Sequence, residues 1–164
     1  MAAGKGKQIY KVVVSLGATY AVSAVGAVAS ISAKSFYSDL NQPGWAPPAY
    51  VFGPVWTILY TMMAIATWLV WRRVKTGSVS KELTVYGAQL AVNGLWSWLF
   101  FKWNLGPAAF IDILLLLGLI VLNVFMYWRL NKWAGLLLLP YLAWVAFAAA
   151  LCFAVWQLNP EELG

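Results

Sequence analysis

Apolar positions along this chain gather into five long runs, separated by short polar or proline-bearing breaks. The runs cover about Ile9–Ala33, Val51–Trp71, Leu83–Trp103, Pro107–Trp128 and Ala134–Gln157. Each is close to the roughly 20 apolar residues that a helix needs to cross a bilayer. None alternates strictly between apolar and polar residues, as a barrel strand would. Lipid offers no partner to an open backbone, so the pattern predicts helices. The expected fold is an all-α integral membrane protein: one domain over residues 1–164, a bundle of five transmembrane helices. No internal repeat is visible.

Composition sharpens this picture. Of 164 residues, 63% are hydrophobic and only 10% charged, where a soluble domain carries about 25% charged residues. Histidine is absent and cysteine occurs once, at Cys152. An internal disulfide is thereby excluded, and a zinc or His-ligated haem centre lacks its usual ligands. No metal or resident cofactor is expected. Cys152 reads as a small buried apolar residue.

The formal charge of +6 does not point to a nucleic-acid partner, because the basic residues sit at the ends of apolar runs. With five crossings, one side collects Lys5, Lys7, Lys11, Arg72, Arg73, Lys75, Lys81, Arg129 and Lys132; the other has Lys34 and Lys102. This bias places the N-terminus in the cytoplasm and the C-terminus outside; it fits an inner membrane but does not decide between inner and outer. The basic start and the "AVAS" stretch, Ala27–Ser30, also fit a cleaved signal peptide. Apolar character continues through Ile31 and Ala33, however, giving the length of a full span. Gly17, Ser23, Gly26 and Ser30 offer that span a small packing face.

Candidate chemistry begins at "PGWAPPAYVFGPVW", Pro43–Trp56, with four prolines, two glycines, two tryptophans and a tyrosine. Pro47 and Pro48 predict a stiff, extended connector, and Pro54 falls in the first turn of the next helix. Trp45 and Tyr50 lie at interfacial depth. Of the 11 tryptophans, Trp68, Trp71, Trp103, Trp128, Trp133 and Trp156 fit an aromatic belt at helix ends. Trp96 and Trp144 lie near mid-span and Trp56 about one turn inside, where an indole N–H needs an acceptor. Asn93 shares a helix face with Trp96, with Gln89 one turn earlier. Asp112 and Asn123 fall in the fourth run; Asp112 reads either as an interior polar pair or as a ligand contact. Ala146, Ala150 and Ala154, with Ala148 and Ala149 beside them, suit close helix packing or the floor of a slot for a flat ligand. Gly87 and Ala91 offer a small-residue dimer face. Without histidine, a Ser-His triad cannot form.

Four stretches, "FYSDLNQPGWAPP", "VFGPVWTILY", "AQLAVNGLWSWLFF" and "PYLAWVAFAAAL", together carry a specific likeness over nearly the whole chain after the first half of helix one. The sequence resembles the translocator protein family, also called tryptophan-rich sensory proteins or peripheral benzodiazepine receptors. The resemblance implies a five-helix, commonly dimeric membrane protein that binds porphyrins such as protoporphyrin IX, sterols and benzodiazepine-type ligands beneath the first loop. Carried over, the ligand-binding residues are Gly26 and Ala29 on helix one, then Trp45, Ala46, Gly53, Val55 and Trp56. Asn93 and Trp96 join from helix three, and Trp144, Ala148 and Leu151 from helix five. A porphyrin receptor or sensor is the expected function. Light-dependent porphyrin degradation, with photochemistry at Trp56 and Trp144, is one alternative. Sterol or porphyrin transport is another, although inverted repeats are missing. Two departures stand out. Ala154 and Gln157 replace the tyrosine and basic residue of the cholesterol pattern of animal members, and Ala46 stands where those members carry histidine.

Overall fold

The computed structural model describes residues 4–30, 33–73 and 81–164, and within them every regular element is helical. The chain runs α1 (Gly4–Ala29), α2 (Ala33–Asp39), a 3-10 turn (Ala49–Val51), α3 (Phe52–Trp71) and α4 (Lys81–Ser97). A π-turn (Trp98–Lys102) extends α4, and α5 (Gly106–Leu130), α6 (Lys132–Leu158) and the short hook α7 (Pro160–Leu163) follow. Lys75, counted above with the basic residues, lies outside the described residues, as does Ile31.

The long helices form a closed ring, α1 against α3, α3 against α6, α6 against α5, α5 against α4, and α4 against α1. Neighbours in sequence run antiparallel, so cross-contacts pair the start of one helix with the end of the next. Lys11 Nζ donates to the Trp71 carbonyl at 2.7 Å, and Ser15 Oγ to that of Ala64 at 2.8 Å. One end of the ring carries Lys11, Arg72, Arg73, Lys81, Arg129 and Lys132; the other carries the proline-tryptophan loop with Asp39, Lys102, Glu161 and Glu162. We refer to these as the basic end and the loop end.

The helix termini follow from local chemistry. Asn131, extended at φ −156°, separates α5 from α6, and its side chain accepts the Trp133 N–H at 3.1 Å, a normal N-cap. Asn104 takes the left-handed conformation at φ 54°, which asparagine tolerates better than most residues. Pro107 then occupies the first turn of α5, where its missing N–H costs little. Pro48 is extended at φ −64°, ψ 147°, as a Pro-Pro connector should be.

Exposed apolar side chains, among them Ile58, Ile65, Leu95, Ile111, Leu115, Val121 and Phe125, cover the outer surface. Such a contiguous apolar exterior suits lipid rather than water. α1, α3, α5 and α6 are each long and apolar enough to cross a membrane. The chain is thus a multi-pass membrane protein with four candidate spans among the described residues, where five were expected. α4 falls short because its α-helical part has 17 residues and includes Lys81, Glu82, Gln89 and Asn93.

Other boundaries also differ from the sequence reading. α1 starts earlier, at Gly4, and stops at Ala29, with α2 as a separate helix. Of the predicted small face of α1, Gly17 is exposed, Ser23 and Ser30 are half-buried and Gly26 is buried, with Ser15 and Thr19 buried beside it. Gly26 does allow a close crossing, since a Cβ there would lie 3.2 Å from Ser97 Oγ on α4. On α6, Ala146 and Ala150 face outward and Ala149 packs inward. Gly87 and Ala91 of α4 are likewise exposed.

Candidate functional site

Within the loop-end half of the ring lies a cavity of about 440 Å³. α3 supplies Phe52, Gly53, Trp56, Thr57 and Tyr60; α4 and its π-turn supply Asn93, Trp96, Ser97, Phe100 and Phe101. α6 contributes Trp144, Val145, Ala148, Leu151, Cys152 and Val155, a run at three- and four-residue spacing that keeps one helix face on the cavity. The last turns of α1, with Ala33, Tyr37 and Ala49 beyond them, close the loop end. Ala27, Gly53 and Thr57 line the cavity and are also exposed, so it opens sideways between α1 and α3.

The walls are aromatic and held by ring-on-ring contacts. Trp56 stacks on Tyr60 at 5.4 Å and 29°, and meets Tyr141 edge-on at 6.2 Å. Trp96 stacks almost parallel on Phe100, at 5.2 Å and 10°. Trp144 contacts Phe52 at 5.9 Å and Phe147 at 5.6 Å. Such geometries favour fixed ring orientations beyond simple burial. The π-turn shifts the helical register next to the cavity, a placement common at functional sites.

A polar bridge forms the floor. The Tyr60 hydroxyl donates to Asn93 Oδ1 at 2.7 Å, and Asn93 Nδ2 donates to the Tyr141 hydroxyl at 2.8 Å. Asn93 is therefore committed to protein partners and joins three helices. Two of the cavity's indoles are not committed: Trp96 Nε1 and Trp144 Nε1 are buried and have no hydrogen-bond partner, as is also true of Trp68 Nε1 away from the cavity. Trp96 lies beside the Cys152 thiol, a weak acceptor, without the geometry of a hydrogen bond. A buried donor left unpaired costs roughly 1–3 kcal/mol, so both positions favour a guest that brings an acceptor.

The loop above is pinned at several points. Burial raises the pKa of Tyr37, and its neutral hydroxyl donates to the Pro47 carbonyl at 3.2 Å. The Gln42 side-chain amide donates to the Tyr37 carbonyl. Asn159, at the end of α6, grips Asn41 twice: it accepts the Asn41 N–H at 2.8 Å and donates to the Asn41 carbonyl at 2.9 Å.

Of the residues named from sequence, Gly26, Gly53, Trp56, Asn93, Trp96, Trp144, Ala148 and Leu151 line this one cavity. Ala29, Trp45, Ala46 and Val55 do not. Ala29 is buried and Val55 packs into the core cluster of α3, α5 and α6, while Ala46 packs with Tyr37 and Phe100. Trp45 is half-exposed and meets Phe147 edge-on at 5.7 Å, one ring behind the cavity wall. Asp112 is buried, with Oδ2 unpaired, but lies off the cavity, and Asn123 pairs with Gln89 at 2.7 Å. Sequence reasoning missed Tyr37, Tyr60, Phe100 and Phe101. The i, i+4 spacing of Trp56 with Tyr60, and of Trp96 with Phe100, was the available signal.

Comparison with known proteins agrees with the likeness seen in the motifs. The profile of the TspO/MBR family matches residues 12–157. The tryptophan-rich protein TspO of Chlorobaculum tepidum is 38% identical over 159 residues, covering 94% of this chain and 99% of that protein. The sheep translocator protein is 38% identical over 128 residues, covering 76% of this chain and 75% of the other. A tryptophan-rich sensory protein of Cereibacter sphaeroides is 34% identical over 142 residues, covering 84% and 88%. A match over residues 12–157, a range that contains the tryptophan-bearing helices that wall the cavity, places the chain in the TspO/MBR family.

Proposed function

We propose that this protein is a membrane receptor for flat, hydrophobic tetrapyrroles of the protoporphyrin IX type, held in the loop-end cavity. The observation that carries this reading is the trio Trp56, Trp96 and Trp144 around one cavity, two of them with unpaired indole N–H groups. A volume of about 440 Å³ falls in the range of about 300–1,000 Å³ usual for small-molecule sites. A planar macrocycle gains apolar burial and ring contacts against these walls, and its pyrrole or carboxylate acceptors offer partners to the indoles. The side opening lets the ring edge reach lipid, with ring carboxylates near the loop end.

In this reading α4 crosses the membrane as well. With its π-turn it runs from Lys81 to Lys102, about the length of one span. Gln89 and Asn93 are turned inward and hydrogen-bonded, so their polarity is hidden from lipid. Five crossings then put the basic end in the cytoplasm and the loop end outside. A homodimer, and binding of sterol or benzodiazepine-type molecules in the same cavity, belong to the same proposal.

Titration of protoporphyrin IX into the purified protein tests it. Tryptophan fluorescence is quenched on binding, and the double variant Trp56→Ala/Trp144→Ala loses at least tenfold in affinity, the effect of about 1.4 kcal/mol. An unchanged affinity in that variant rejects the site. The Trp56–Tyr60 stack supports a second reading, light-dependent degradation of the bound pigment, in which a photoexcited porphyrin takes an electron from an indole. Illumination of the complex then yields a product absent from both the protein-free sample and Trp144→Phe. Passage of a ligand through the protein is disfavoured, because Met63, Gln89, Asn123 and Tyr127 fill the basic-end half with no exposure.

A further inference from the structure

The face of α6 that lines the cavity continues, without a break in spacing, into a contact with the loop. Ala148, Leu151, Cys152 and Val155 are cavity residues, and Asn159 follows Val155 by one turn. The Asn159 side-chain amide holds three bonds at once: its two to Asn41 and one from Nδ2 to the Val155 carbonyl at 2.7 Å. It is 2% exposed. The hook α7 locks it in place from the other side. Leu163 is fully buried, and its N–H returns to the Asn159 carbonyl at 3.0 Å. At Gly106, a Cβ would lie 2.7 Å from both the Leu163 carbonyl oxygen and the Trp156 ring. α5 therefore starts on a glycine where the hook docks.

We propose that Asn159, held by the hook Pro160–Leu163, is a positioning residue that straps the Asn41–Tyr50 loop over the cavity and sets how fast the cavity opens. It touches no ligand. It acts through Asn41, and through Val155 it reports displacement of the cavity wall to the loop. The inference rests on the cavity being a binding site, as proposed above.

Cys152 provides a test that needs no ligand. It is the single cysteine, buried and on the cavity wall, so its alkylation by N-ethylmaleimide reads cavity opening in the full-length protein in detergent or nanodiscs. Asn159→Ala speeds alkylation about tenfold or more, the factor that losing two ordinary hydrogen bonds gives a local opening equilibrium. Leu163→Ala, which loosens the hook and leaves Asn159 intact, speeds it by a smaller factor. Asn131→Ala removes an N-cap at the far end of the same helix and leaves the rate unchanged. Equal rates in wild type and Asn159→Ala, as expected if reagents pass only through the side opening between α1 and α3, overturn the strap. Equal acceleration by Asn131→Ala also overturns it, since general loosening then explains the effect.

A second arm follows protoporphyrin IX association and dissociation by stopped-flow quenching. Asn159→Ala raises both rates together and changes their ratio less. A rise in dissociation alone overturns the strap, because it marks a lost contact rather than faster opening. Absence of quenching in wild type counts against the tetrapyrrole reading, and the alkylation arm still decides the strap.

Discussion

The two halves of this bundle use the same residue types to opposite ends. In the basic-end half, polar groups pair across helices inside a solid core, although Asn123 Oδ1 and the Trp68 indole N–H stay without a partner. Thr19 bonds the Tyr86 hydroxyl at 2.7 Å, Thr67 the Tyr127 hydroxyl at 3.0 Å, and Asn123 the Gln89 side chain at 2.7 Å. Met63, Val70, Ile120, Tyr127 and Leu138 have essentially no exposure. In the loop-end half, large rings lean on each other around a void, and the Trp96 and Trp144 indoles have no partner. The Tyr60–Asn93–Tyr141 bridge is the boundary between them. Polar contacts between helices in lipid are individually modest. What separates the halves is therefore less the strength of any bond than whether the space between helices is filled. One half holds the helices in place so that the other can remain open.

Deleting a large ring from each half gives the largest expected difference between them. Tyr127→Ala removes a fully buried ring and its hydrogen bond with Thr67. The expected loss is about 3–5 kcal/mol, as for other large-to-alanine core changes. Trp144→Ala enlarges a void that already exists, so its cost falls below that of Tyr127→Ala by roughly 1–2 kcal/mol. Reversible unfolding in mixed micelles measures both. Equal costs would mean that the loop-end half is packed as tightly as the other.

Adding volume gives the reciprocal test, of smaller size. Ala66→Leu forces three carbons into a site with no free space and costs about 1–3 kcal/mol through overpacking. Ala148→Leu places the same carbons in the cavity. It leaves stability within about 0.5 kcal/mol while weakening protoporphyrin IX binding about tenfold or more. Thermal unfolding and fluorescence titration of the same two variants separate the effects. Comparable destabilisation by both would remove the distinction between filled and open halves.

The sequence made some of this arrangement legible and hid the rest for identifiable reasons. Run length and lipid exclusion give the rods, since a span must be long, apolar and internally hydrogen-bonded. Trp56, Trp96 and Trp144 stood out because an indole inside a span conflicts with a belt position, and all three line the cavity. Face assignment was weaker. Val55 adjoins Trp56 in sequence but lies about 100° away on the helix and does not line the cavity. The break after α1 carries no proline or glycine to mark it. Gln89 and Asn93 stood out as polar residues in the third run, but their partners on α5, α3 and α6 are announced by no local pattern. Nothing local marks Asn159: its "NP" dipeptide is a turn signal, and its partner Asn41 is remote in sequence.

The smallest expected effect bears on what the orphaned indoles are for. Trp96→Phe keeps a ring able to stack on Phe100 and deletes the unpaired N–H. Replacing an unsatisfied polar group by an apolar one of similar shape is nearly neutral, so unliganded stability should stay within about 1 kcal/mol of wild type. If the bound tetrapyrrole offers that N–H an acceptor, the variant loses one ordinary hydrogen bond, about 0.5–1.5 kcal/mol, or roughly three- to tenfold in affinity. Unfolding of the free protein and titration of protoporphyrin IX supply the two numbers. A variant that unfolds markedly more easily yet binds as tightly as wild type would show that the indole already has its acceptor in the Cys152 thiol. In that case Cys152→Ala should reproduce the stability loss. The asymmetry between the halves would then be one of shape alone, with the walls of the cavity as self-sufficient as the core beneath it.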